Sequence, residues 1–203
     1  MFISLEGSEG AGKSSLIESL IQSFKDANKE FVFSKEPGAT EEGQSIRNIL
    51  LDKSIDLDPY AETFLLLADR SQHVKKIIYP AISKGIHVLT DRYIDSTYAY
   101  QGAGRGINED VLNYLFKMLN FPIPDLTIFL DIPVIEGLER VQRRGEMDRF
   151  EKEEITFFER IRESYLFRAK QEPERFFVID ARKTQDEVHK LARDCILNKL
   201  KND

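Results

Sequence analysis

Cysteine is nearly absent: Cys195 is the one example in 203 residues, which excludes an internal disulfide. Its neighbours Val188, Leu191, Ala192 and Ile196 recur at helical spacing, so Cys195 is expected to pack in a core, where a free thiol behaves as a small hydrophobe. Positive charge is not in excess either. Twenty-nine Lys and Arg against 35 Asp and Glu leave a formal charge of -6, and the pI is about 5.3. Long-range attraction to polyanions needs a basic face. A nucleic-acid polymer and an anionic membrane are thereby excluded as general partners, and any anion site must be built locally. No apolar run approaches the roughly 18 residues of a membrane span. The opening Met1-Phe2-Ile3-Ser4-Leu5-Glu6-Gly7 lacks the basic-then-apolar order of a secretory signal, so a cytoplasmic location is expected. Repeats, low-complexity tracts and Gly/Ser linkers are also missing, and one domain spanning residues 1–203 is expected.

What is present is an alternation. Five short runs rich in Ile, Val, Leu and Phe, at 2–6, 31–35, 86–90, 126–131 and 176–180, read as buried parallel strands. Between them lie stretches with apolar residues three and four apart, such as Leu16, Ile17, Leu20, Ile21 and Phe24, or Ile155, Phe158, Ile161 and Tyr165, which predict helices. The pattern specifies an α/β protein with a doubly wound, five-stranded parallel sheet flanked by helices, whose ligands bind beyond the carboxyl ends of the strands.

Directly after the first strand, Gly7-Ser8-Glu9-Gly10-Ala11-Gly12-Lys13-Ser14-Ser15 matches G-x-x-x-x-G-K-[ST] at every fixed position. Glycines let the backbone curl so that N–H groups point at phosphate oxygens, and the following helix adds the positive end of its dipole. Lys13 is predicted to reach the β- and γ-phosphates of ATP, and the Ser14 hydroxyl to be a Mg²⁺ ligand. Motors, switches and transporters share this cradle. The chain lacks the guanine-reading N-K-x-D and the L-S-G-G-Q signature, which favours a small phosphotransferase. Asp91, at the end of the third strand, occupies the place of the second acidic group that holds magnesium in phosphate-loop enzymes.

The segment Asp91-Arg92-Tyr93-Ile94-Asp95-Ser96-Thr97-Tyr98-Ala99-Tyr100-Gln101-Gly102 closely resembles that of bacterial thymidylate kinases. With GSEGAGKSS, KEPGAT, ADRSQH, PDLTIFLD and RRGEMDRFE, the resemblance covers nearly the whole chain in family order. It implies a phosphate-loop nucleotide kinase fold with a short lid, transfer of the ATP γ-phosphoryl group to dTMP to give dTDP, and a homodimer. It also implies that Arg92 and Arg47 hold the dTMP phosphate, with Pro37 beside them, and that Arg70 contacts the acceptor nucleotide. Ser96, Thr97 and Gln101 correspond to positions near the thymine edge. Tyr100 corresponds to a ring that crowds the sugar 2′ position, Glu9 to an acid near the 3′-hydroxyl, and Arg182 to the loop that packs on adenine. Taken alone, Arg70 would be a solvated charge on a helix. Asp125 and Asp131, flanking the fourth strand, are read as structural.

Lys35 and Ala39 stand in a segment that relatives write R-E-P-G-G-T, and Leu66 stands where many relatives stack a Phe on thymine. Phe64 and Leu67 are the neighbours expected to compensate. The stretch 140–151 carries Arg140, Arg143, Arg144 and Arg149 around Gly145 and is expected to be the lid. Phosphoryl transfer spreads charge over the moving group's oxygens, and closing arginines stabilise it while excluding water. Residues 8–11 contain no arginine. The resemblance therefore assigns the catalytic guanidinium to the lid, with Arg144 and Arg149 first and Arg143 next. A kinase for another monophosphate and a regulatory module that binds ATP without turnover are the rival readings.

Overall fold

The computed structural model describes residues 1–26, 29–145, 149–151 and 153–202, without the side chains of Arg144 and Asn202. Five parallel strands, β1 (Phe2–Gly7), β2 (Phe31–Lys35), β3 (His87–Asp91), β4 (Leu126–Asp131) and β5 (Phe176–Asp180), lie in the order β2-β3-β1-β4-β5. Each expected strand is present to within one residue at either end. β1 continues through Gly7 because Gly7 still pairs with Leu130 of β4, while Leu5 pairs with Asp91 of β3. The chain turns from one side of β1 to the other between β3 and β4, the switch at which such sheets bind ligands.

Helix α1 (Lys13–Asp26) starts directly behind the glycine-rich turn and buries Leu16, Leu20 and Phe24 against Ile3, Leu5 and Ile128. Cys195 packs half-buried against the same cluster, on α9 (Gln185–Asn202). Helix α2 (Glu41–Leu51) is capped by the Thr40 side chain, which accepts the Gly43 N–H. Helix α3 (Pro59–His73) is capped by Asp58, with Pro at its first position where no N–H is needed. After a π-helical stretch and the short α4 (Tyr79–Ile82), the chain enters β3. Helix α5 (Ile94–Thr97) runs on as a π-helical stretch, Tyr98–Gly104. This wider winding is frequent at functional sites, and here it carries Tyr100 and Gln101. Helices α6 (Glu109–Leu119), α7 (Val134–Arg144) and α8 (Ile155–Gln171) complete the layers. No helix among the described residues is long and apolar enough to cross a membrane.

Asp125 and Asp131 both have partners within the fold. The first accepts the Phe2 N–H at 2.6 Å, and the second takes a two-point ion pair from Arg162 at 2.6 and 2.9 Å.

Candidate active site

At the carboxyl ends of β1 and β3 lies a cleft of about 530 Å³ lined by residues 9–15 of the glycine-rich turn, by Glu36, Pro37, Arg47, Leu66 and Arg70, and by Asp91, Arg92, Ser96, Thr97, Tyr100, Gln101, Arg140 and Phe150, among others. The Lys13 ammonium donates to the Gly7 carbonyl at 2.9 Å and so curls back over its own loop. Burial, then the nearby Arg92 charge, holds the Lys13 pKa below its ordinary value. Gly10 has φ +73°, and a Cβ there would lie 2.1 Å from the Gly137 carbonyl oxygen. That spot therefore admits no side chain, and the loop meets α7 backbone to backbone. Ser14 is exposed, and Ser15 Oγ donates to the Gly12 carbonyl at 3.0 Å.

Arg92 adopts φ +68°, a conformation uncommon for a residue with a Cβ and concentrated at functional sites. Its backbone N–H is held by the Leu5 carbonyl at 3.0 Å, and the next N–H, of Tyr93, is held by Glu6 Oε1 at 2.8 Å. The turn throws the guanidinium into the cleft, 4.7 Å above the Tyr100 ring. There it donates to Glu9 at 2.7 Å and to Ser96 Oγ at 3.3 Å. Ser96 in turn donates to Glu6 Oε2 at 2.6 Å, where the Tyr165 hydroxyl also arrives at 2.9 Å. Burial, followed by the Asp95 charge, pushes the Glu6 carboxyl up to about 7. Glu6 is thus a buried support for the Arg92 turn. Sequence reasoning missed it because a carboxylate inside an apolar strand carries no motif.

Arg70 is the largest departure from a local reading. Rather than a solvated charge, it is 2% exposed, paired to Glu36 at 2.7 Å and donating to Thr97 Oγ1 at 2.9 Å and to the Tyr93 carbonyl at 3.0 Å. Its charge survives burial because each direction of the guanidinium fork meets an acceptor. Glu36 also bonds His73 Nδ1 at 2.7 Å, and His73 Nε2 lies 2.8 Å from Ser34 Oγ. Neither Glu36 nor His73 was singled out from sequence, since their partners lie 34 and 37 residues away from them. Arg47 reaches the Pro37 carbonyl at 2.9 Å. The Phe64 ring is exposed and Leu67 is buried in the core with Phe2 and Val88. Leu66 lines the cleft, and neither of these two neighbours is among its lining residues.

The remaining expected residues lie at the periphery. Gly7 and Ser8 form the buried root of the loop. Arg182 is exposed and pairs with Asp180 at 2.8 Å, and it does not line the cleft. Arg143 is exposed, 3.6 Å from Glu139, and the Arg144 side chain lies outside the described residues. Arg149 donates to Glu62 and, at 2.8 Å, to the Leu50 carbonyl, on the α2–α3 flank of the cleft. Arg140 stands in the cleft wall and donates to the Ala181 carbonyl at 3.1 Å. The density of arginines in 140–149 was its only signal in the sequence.

Among the described residues no cluster of three or more His, Cys, Asp or Glu is placed to cage a metal. The buried Asp91 Oδ1 has no hydrogen-bond partner. With the Ser14 hydroxyl, this is a sparse set of hard oxygens, suited to magnesium that retains water and phosphate ligands.

A parallel sheet that sets an anion cradle on one side of a cleft and guanidinium groups on the other is the build of a phosphate-loop nucleotide kinase. The family model described as thymidylate kinase matches residues 5–192. A thymidylate kinase of Nitratidesulfovibrio vulgaris is 45% identical over 197 residues, covering 93% of this chain and 92% of that protein. One of Nitrosomonas europaea is 42% identical over 188 residues, covering 92% and 87%. The crystal structure of thymidylate kinase from Ehrlichia chaffeensis superposes with a TM-score of 0.78 at 31% identity, covering 97% of this chain and 98% of that one. The chain belongs to the thymidylate kinase family, and it is a dTMP kinase that forms dTDP.

Proposed function

We propose that ATP and dTMP meet in the cleft between the glycine-rich loop and the Arg92 turn, and that the protein acts as a phosphotransferase in the cytoplasm on the way to dTTP. The supporting observation is that Lys13, Asp91 and Arg92 converge on that cleft from two neighbouring strand ends. The loop amides of residues 7–15 and Lys13 bind the ATP phosphates, and the neighbourhood of Arg182 receives the adenine. Ser14 and Asp91 would hold Mg²⁺, which when bound supplies charge neutralisation at the phosphates.

On the acceptor side, Arg92 and Arg47 take the dTMP phosphate beside Pro37, and Glu9 faces the sugar 3′-hydroxyl. Tyr100 lies against the 2′ position and disfavours ribonucleotides. Arg70, Thr97, Gln101 and Ser96 surround the base, with Leu66 covering its face. The chemistry needs no covalent intermediate: the acceptor phosphate oxygen attacks the γ-phosphorus in line, and ADP departs. Residues 140–151 act as the lid. Arg143 and Arg144 neutralise charge developing on the transferred group, and Arg149 enters from the acceptor side. The active form is a homodimer, in keeping with the family.

The test is a panel of deoxy- and ribonucleoside monophosphates with Mg-ATP, followed as ADP formed. dTMP should lead, dUMP should follow, and dCMP should be rejected most, since its amine presents a donor where thymine presents an acceptor. A mismatched buried polar pair costs roughly 1–3 kcal/mol. Equal or better use of dCMP overturns the assignment, and ATP turnover indifferent to any monophosphate favours a nucleotide-binding regulator.

A further inference from the structure

Glu62, in the first turn of α3, is completely buried and gathers donors from separate parts of the chain. Gln101 Nε2 donates to its Oε1 at 2.9 Å. Arg105 spans both oxygens at 3.3 Å, and Arg149 donates to Oε2. Gln101 lines the cleft, as does Phe150, the residue after Arg149. The Phe150 ring stands edge-on to Tyr100 at 6.2 Å, and the Arg149 guanidinium lies 4.7 Å above it. Arg149 is therefore directed at the acceptor flank, and it shares its carboxylate with a residue of the base pocket.

A carboxylate only accepts hydrogen bonds, whereas an amide has a donating and an accepting end. Glu62 consequently holds the Gln101 NH₂ toward itself and leaves the carbonyl oxygen as the end available to the cleft. A carbonyl there accepts from a base whose ring nitrogen carries a proton, as in thymine, and repels the bare ring nitrogen of cytosine. Charge-assisted bonds to one buried carboxylate also polarise one another, so losing one partner perturbs the rest.

We propose that Glu62 is a positioning residue that orients the Gln101 amide for the acceptor base and, through Arg149, seats the 149–151 segment, so that base discrimination and lid seating depend on one carboxylate. The inference rests on the reading that Gln101 faces the base.

The experiment measures kcat and KM for dTMP and dCMP, with Mg-ATP, on the wild type, Glu62→Gln, Arg149→Met and the double variant. Glu62→Gln should lower kcat/KM for dTMP at least tenfold and shrink the dTMP:dCMP preference at least tenfold, since an amide partner lets Gln101 turn over. Arg149→Met should shrink that preference as well, and the double variant should be no worse than Glu62→Gln alone. Losses that multiply overturn the coupling, as does an unchanged preference in Arg149→Met. Should Glu62→Gln fail to fold by thermal melting, Arg149→Met against Arg143→Met decides: the first alters base preference, while the second slows both substrates alike. Equal slowing of both substrates by Arg149→Met rejects the proposal. A wild type that does not prefer dTMP overturns the underlying reading instead.

Discussion

Glu9 Oε1 accepts both Arg92 Nη2 at 2.7 Å and the Tyr100 hydroxyl at 2.8 Å, so a carboxylate of the glycine-rich loop presets the guanidinium on the opposite wall. Arg92→Ala should therefore impair acceptor use far more than ATP binding. Charged hydrogen bonds contribute about 1.5–3 kcal/mol each, which corresponds to a fall of roughly 10- to 100-fold in kcat/KM for dTMP. Steady-state kinetics in each substrate, with ATP affinity measured by titration, checks this. Unchanged dTMP parameters would put the acceptor phosphate elsewhere.

Loop and lid should divide the work on the transferred group. Lys13→Ala should depress turnover steeply. Arg143→Ala or Arg144→Ala should cut single-turnover rates well over tenfold with little change in dTMP affinity, because the lost contact strengthens in the transition state. Arginines in this role contribute roughly 10³ to 10⁵ in rate. If both lid variants keep near-normal rates, the positive charge has another source, and Arg140 in the cleft wall is the first to examine.

Leu66 lines the cleft without an aromatic neighbour on its own helix turned the same way. Leu66→Phe should tighten dTMP by up to about tenfold, the scale of roughly 0.5–1.5 kcal/mol for an aromatic contact. Calorimetric titration with dTMP measures it. Weaker binding would mean that the leucine pocket is already filled to shape.

Stability should fall as pH rises through neutrality on account of Glu6, whose carboxyl is pushed from 4.5 to about 7 by burial, and Asp69, pushed from 3.8 to about 6, again chiefly by burial. Each native group keeps a proton that the unfolded chain has already released. Their contributions are complete below the ordinary values and are lost as pH rises through the raised ones. Thermal melts from pH 4.5 to 8 should show a shallower decline for Glu6→Gln than for the wild type. Identical slopes would show that Glu6 does not carry this dependence.

The strands and the phosphate cradle were legible because each is written in consecutive residues: an apolar run has a length, and Gly7, Gly12, Lys13 and Ser14 have a spacing. The polar scaffold was not. Glu6, Glu36, Glu62 and His73 look like scattered surface charge until the sheet order brings β2 beside β3 and α3 over both. Arg70 illustrates the limit, since its neighbours in sequence describe a solvated helix while Glu36 and Thr97 are supplied from 34 and 27 residues away. Residues 140–151 announced their charge but not their direction, and only the assembled cleft distinguishes Arg149, turned to Glu62, from Arg140, turned to Ala181.

The contact of Gly10 with Gly137 has a mechanical reading. Peptide against peptide, with no rotatable group between, is a joint without backlash. The joint fixes the glycine-rich loop against the first turn of α7, whose far end carries Arg143. A methyl group at either glycine would act as a wedge, since it would lie 2.1 Å from the Gly137 carbonyl oxygen or 2.5 Å from that of Glu9.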